Sequence, residues 1–142
     1  MKKILVAIDG SDSANKALDK AKKIAECMGS EITILNVVTP IPNYGDVRPN
    51  LKVIQEVQDN SKINSETMLK TALDVFKDFT GKVETKTRLG NPAEEIILEA
   101  EGGGYDAIIM GSRGQGLFAR TLLGSVSNKV VNHSDVSVFI VK

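Results

Sequence analysis

The sequence holds one cysteine, one histidine, no tryptophan and no net charge. Each shortage excludes something. A single thiol, Cys27, leaves no intrachain disulfide and no cysteine-rich zinc site. A single imidazole, His133, argues against a multi-histidine metal site and against a Ser-His-Asp triad. Lys plus Arg number 18 and Asp plus Glu number 18. The basic surplus that marks a nucleic-acid partner is therefore missing. No apolar run approaches the roughly 18 residues of a membrane span. Asp9 and Asp12 follow Lys2-Lys3 too soon for the apolar core of a secretory leader. What is present is 142 residues, 42% hydrophobic and 25% charged. This composition is expected of one folded domain, 1–142, in the cytoplasm, with neither nucleic acid nor membrane as partner.

The chain alternates short apolar runs with amphipathic stretches. Lys3 to Ile8 (KILVAI) and Ile32 to Val38 (ITILNVV) suit strands covered on both faces. Between them Ala14, Ala17, Leu18, Ala21, Ile24, Ala25 and Met28 form one helical stripe, with Gly29 placed for a left-handed C-cap. Residues 39–45 read as a loop, and Leu51, Ile54 and Val57 hint at a helical turn. A helix is expected from about Ser61 to Phe79. Val83 to Leu89 alternates as a half-exposed edge strand does. Asn91-Pro92-Ala93-Glu94 reads as a helix start, and Gly102-Gly103-Gly104 as its end. Tyr105 to Met110 and Val136 to Val141 are strands, with a helix opening at Ser125 between them. This β-α alternation implies a doubly wound α/β architecture, a mostly parallel sheet with helices on both faces.

In such sheets ligands sit beyond the carboxyl ends of the strands, where strand order reverses. The first strand runs into Asp9-Gly10-Ser11 and the fourth into Gly111-Ser112-Arg113-Gly114-Gln115-Gly116. Gly111, Gly114 and Gly116 permit positive φ and close approach of a ligand to backbone N–H groups. Gly124-Ser125 opens a helix, with Ser125 as N-cap and Ser127 in the first turn. The helix dipole, the free N–H groups, the two hydroxyls and Arg113 together suggest a polyphosphate cradle. No Gly-Lys-Ser/Thr ends the loop, so it is not a P-loop, and its glycine spacing is not the dinucleotide fingerprint. The blander readings are loop glycines, an Asp9 that only shapes a turn, and a solvated Arg113.

Gly111-x2-Gly114-x9-Gly124-Ser125, preceded by Met110 and followed by Val126-Ser127, resembles the ATP-binding signature of the universal stress protein family. Val6-Ala7-Ile8-Asp9-Gly10-Ser11 resembles that family's first strand and loop, and the likeness extends over the whole chain. The resemblance implies a Rossmann-like five-stranded parallel sheet in the order 3-2-1-4-5, and a homodimer formed through the last strand. It places Ala7, Asp9 and Val38 at the adenosine end, and Met110, Gly111 and Arg113 along the ribose and phosphate path. Gly114, Gly124, Ser125, Val126 and Ser127 would hold the phosphates of ATP with a divalent ion, magnesium or manganese. The chain departs from the family pattern at Asn36, where many members have histidine, at Ser137, where proline is common, and at Gln115, where a basic residue is frequent.

Two functions of different class follow. In the first the chain is an ATP-binding stress-response regulator acting on a protein partner it does not name, with residues 39–60 ordering when nucleotide binds. In the second it cleaves ATP, slowly or as an adenylating enzyme of the related ATP pyrophosphatase group. That group has a Ser-Gly-Gly-x-Asp-Ser loop, and Asp9-Gly10-Ser11-Asp12-Ser13 lacks the double glycine. No general base stands near the phosphates, since His133 lies two helical turns from Ser127. The expectation is therefore a binder with at most slow ATPase activity and no catalytic residue. Cys27 beside Met28 is expected to be packed or half-buried.

Overall fold

The computed structural model describes residues 1–41, 50–114 and 122–142. Among the described residues nine elements alternate: β1 (Lys3–Ile8), α1 (Asp12–Met28), β2 (Glu31–Val38), α2 (Leu51–Asp74), β3 (Val83–Leu89), α3 (Pro92–Gly102), β4 (Ala107–Gly111), α4 (Ser125–His133) and β5 (Ser137–Val141). The strands form one sheet in the order β3-β2-β1-β4-β5. All four pairings are parallel. The chain winds outward from β1 through β2 to β3, then crosses to β4 and winds outward again to β5. Strand order thus reverses between β1 and β4, whose registers match Ile4 to Ala107 and Ala7 to Met110.

Each central strand contributes alternate side chains to two cores, as a period of two requires. Ile4, Val6, Ile8, Ile32, Ile34 and Ile109 pack under α1 and α2. Leu5, Ala7, Leu35, Ile108 and Met110 pack under α3 and α4. Helix α1 buries Ala14, Ala17, Leu18, Ala21 and Ala25. Its small residues let its axis lie close over β1 and β4. Ser11 caps it, accepting from the Ala14 N–H, and Gly29 ends it at φ 65°.

Four expectations are revised. Helix α2 begins at Leu51, capped by Asn50, and runs 24 residues to Asp74. A turn at Val75–Asp78 then places Phe76 in the core. So residues 51–60 of the proposed ordering segment are already helix, while 42–49 lie outside the described residues. Met28 is 51% exposed, and Cys27 is exposed as well. The stripe of α1 ends at Ala25, because the last turn passes the edge of the core. Strands β4 and β5 each start later than their apolar runs. Tyr105 instead turns its buried ring beneath α3, and its hydroxyl donates to Glu99.

Candidate nucleotide-binding site

A cavity of about 590 Å³ opens at the carboxyl ends of β1 and β4, at the point where strand order reverses. It has two unlike halves. One is apolar, with Ala7, Leu35 and Val37 as floor, Met110 beside them, and Pro92 and Ile96 of α3 as wall. The other is built from two helix starts and a glycine loop: Asp9, Ser11, Gly111, Arg113, Gly114, Gly124, Ser125, Val126 and Ser127. Ten of the eleven residues expected from the sequence line it. Val38 is not among them, and its neighbours Val37 and Thr39 are. Parity explains the offset. Val37 packs with the core beneath α3 and α4. Val38 belongs to the alternate row, and its carbonyl accepts from the Gly90 N–H at 3.0 Å.

The loop after β4 is held from below by the chain itself. The Ser13 hydroxyl donates to the Arg113 carbonyl at 2.5 Å and the Ser11 hydroxyl to the same oxygen at 3.2 Å. The Ser112 carbonyl accepts from the Gly124 N–H at 2.7 Å and from the Ser127 hydroxyl at 2.9 Å. The Ser112 N–H in turn donates to Val141 of β5. Both ends of the glycine segment are therefore tied down, and the α4 start is fixed against the end of β4.

These bonds correct three details of the sequence reading. Positive φ is not why Gly111, Gly114 and Gly124 are glycine. Among the described residues only Gly10, Gly29, Gly90 and Gly104 have it, and Gly116 lies outside them. A Cβ on Gly111 would collide with Ser13 Oγ and stand 2.8 Å from the Ala14 nitrogen. The glycine lets α1 begin directly against β4. The N-cap of α4 is Gly124, at φ −62° and ψ 163°, not Ser125, and no side chain caps the helix. The Ser127 hydroxyl is spent on two carbonyls, Ser112 and Gly124, and the residue is buried. What Ser127 can offer a ligand is its backbone N–H.

Chemically the cavity combines an apolar slot with a helix N-terminus. First-turn N–H groups and the helix dipole favour an anion. Asp9 is the one carboxylate lining the cavity and Arg113 the one cation, among the described residues. Asp9 Oδ1 accepts the Ser11 N–H at 3.0 Å, which orients the carboxylate at the rim. No lining histidine, cysteine or lysine is present among the described residues. His133 stands at the far end of α4, where Nδ1 donates to the Lys129 carbonyl, about 12 Å along the axis from Ser125. Nor do the described residues hold a group of three or more His, Cys, Asp or Glu able to take a metal ion. Among the described residues the donor set suits an anion.

One feature beside the site escaped the sequence reading. Glu99, on α3, is buried, with a side chain 7% exposed. It accepts from Lys86 at 2.7 Å, Arg88 at 3.0 Å and the Tyr105 hydroxyl at 3.1 Å. Burial alone would raise its carboxyl, but hydrogen bonds from Lys86 and Arg88 outweigh burial and hold it below the ordinary range. The signal was present in the alternation Glu84, Lys86, Arg88 on β3, which faces Glu95 and Glu99 one turn apart on α3.

Residues 1–142 match the model of the universal stress protein family. Universal stress protein YxiE of Bacillus subtilis is 37% identical over 145 residues, covering 99% of this chain and 98% of that protein. The solved structure of universal stress protein UspA from Lactobacillus plantarum superposes with a TM-score of 0.88 at 26% identity, covering 99% and 97% of the two chains. A universal stress protein solved in complex with cAMP gives 0.75 at 26% identity, with 99% and 97% covered. Among the described residues no helix is long and apolar enough to cross a membrane. By the extent of these matches and by its sheet order, the chain belongs to the universal stress protein family.

Proposed function

We propose that this chain is a stress-response regulator in the cytoplasm that binds ATP in the cavity between β1 and β4. The observation that carries the reading is the joining of two halves in one cavity: an apolar slot and a helix start with no side-chain cap. The adenosine lies between Leu35, Val37, Ile96 and Met110. The phosphates run past Gly111, Arg113 and Gly114 to the N–H groups of Ser125, Val126 and Ser127. A magnesium or manganese ion arriving with ATP takes its ligands chiefly from phosphate and water, since the described residues form no metal cluster. With no histidine, cysteine or lysine among the described lining residues, and the Asp9 carboxylate already accepting the Ser11 N–H, turnover is slow or absent. The chain pairs as a homodimer through the exposed edge of β5, and occupancy of the site biases a surface that a protein partner reads. A family structure with bound cAMP supports an adenine nucleotide as the class of ligand.

Calorimetry with ATP, AMP and inorganic phosphate tests this. Saturable binding of ATP, with nucleotide recovered uncleaved after an hour, is the expected result. No heat with ATP would overturn the site, and rapid release of ADP or AMP would make the chain an enzyme.

A further inference from the structure

The α3 wall of the cavity's apolar half is braced from behind by charge as well as by packing. Arg88, the last residue but one of β3, lies beside Val37, its register partner on β2. Its Nε donates to Glu95 at 2.6 Å and its Nη1 to Glu99 at 3.0 Å. Both carboxylates are on α3, the helix that supplies the cavity wall through Pro92 and Ile96. The turn between β3 and α3 closes onto the same group. Gly90 adopts φ 154°, and a Cβ there would stand 2.8 Å from Glu95 Cγ and Oε1. Its N–H donates to Val38 of β2. Strand β2, the turn, Glu95 and Arg88 thus make a closed ring that ties the α3 wall to β2 and β3 beside the slot.

A partly buried ionic cluster adds little net stability compared with apolar side chains of the same size, because desolvation offsets its Coulomb gain. Its contribution is geometric: a planar guanidinium bridging two carboxylates one turn apart allows few helix positions. We infer that Arg88, through Glu95 and Glu99, is a positioning residue that fixes the distance between the α3 wall and the β2 floor, and so sets how well the slot accepts a planar base. The inference rests on the nucleotide reading above. It distinguishes the base end of the ligand from the phosphate end, which α4 and the glycine loop hold independently.

The test uses the full chain and two probes. ATP reports both halves of the cavity. Inorganic tripolyphosphate, read as a competitor of bound ATP, reports the phosphate half alone. Arg88→Met keeps the stem and removes the fork, and Glu95→Gln removes one of its partners. Each variant is expected to bind ATP about tenfold more weakly, the scale of losing preorganisation in one contact, with tripolyphosphate inhibition unchanged. Arg88→Lys, charged but without a fork, is expected to recover less than half of the loss. Parallel weakening of both probes would mean a merely structural role and overturn the inference, as would unaltered ATP binding. If Arg88→Met does not fold, Glu95→Gln and Arg88→Lys decide by the same comparison. Failure of the wild-type chain to bind ATP would remove the nucleotide site itself, whereas wild-type binding with indifferent variants removes only the role of Arg88.

Discussion

Gly114 lies against the carboxylate of Asp9, so close that a Cβ on it would stand 2.8 Å from Asp9 Oδ2. Gly111, three residues earlier, is crowded by backbone: its Cβ would stand 2.8 Å from the Ala14 nitrogen and nearer still to Ser13 Oγ. The distinction matters, because a side-chain tip can swing away and a helix start cannot. Gly111→Ala should therefore destabilise the fold by about 1–3 kcal/mol, the cost of overpacking a tight contact. Gly114→Ala should leave the urea midpoint near wild type, displace Asp9 and weaken ATP. Equal loss of stability in the two variants would contradict the geometry.

The serines of α4 separate in the same manner. The Ser127 hydroxyl donates to two backbone carbonyls inside the fold, whereas Ser125 is exposed at the first helical position. Ser127→Ala removes a bond that ties α4 to the end of β4, while the Ser112 carbonyl keeps the Gly124 N–H, and should lower unfolding free energy by about 0.5–1.5 kcal/mol. Its N–H remains, so ATP affinity at a temperature where the variant is folded should change little. Ser125→Ala should have the reverse profile, with unchanged stability and weaker ATP. Chemical denaturation and calorimetry on the pair check both halves.

Much of this was legible before the structure because burial leaves a pattern. Strands β1, β2 and β4 are covered on both faces; the runs of β1 and β4 are apolar, and that of β2 is broken only by Thr33 and Asn36. Strand β3 is an edge, and it alternates. Where burial is absent the pattern fails. Leu51 is 82% exposed, and most of the first half of α2 touches no core. There Leu51, Ile54 and Val57 only hint at a turn, and the start expected near Ser61 lies ten residues after the observed one. The glycines of the site were found by spacing, but spacing does not say what a missing side chain makes room for. At Gly111 it is the chain's own helix. The offset between Val37 and Val38 has a similar source. Alternation gives two rows on a strand, and only the placement of α3 and α4 decides which row faces the cavity. The Arg88–Glu95–Glu99 cluster was missed because charges on an edge strand read as solvated until a second element is set opposite them.

The buried carboxylate makes a pH prediction whose sign is fixed. Hydrogen bonds from Lys86 and Arg88 more than offset burial, so Glu99 in the folded chain titrates below its ordinary value of 4.5. A carboxyl lowered by folding contributes stability that is full above the ordinary value and is lost as pH falls through the folded one. Glu99→Gln should therefore be less stable than wild type near about pH 7, with the difference shrinking below about pH 4. Asp106, held low by the Lys3 and Lys2 N–H groups, adds to the acid sensitivity of both proteins. It cancels in the comparison. Urea midpoints at neutral and acid pH measure the difference, and a constant gap would mean that Glu99 does not carry this charge-dependent stability.

The proposed pairing of two chains has its own test at the edge of the sheet. Strand β5 pairs with β4 on one side only, among the described residues. It exposes Phe139 to 43%. An open apolar edge strand invites another strand, and proteins that remain single commonly guard such an edge with charge, proline or a bulge. Within β5, Ser137 to Val141, no charged residue or proline occurs. Phe139→Asp places charge there without touching the core. The wild-type chain should sediment as a dimer and the variant as a monomer with an unchanged melting profile at low concentration. If the cavity is complete within one chain, the monomeric variant should still bind ATP with wild-type affinity. A wild-type chain that sediments as a monomer would refute the pairing and leave the site untouched.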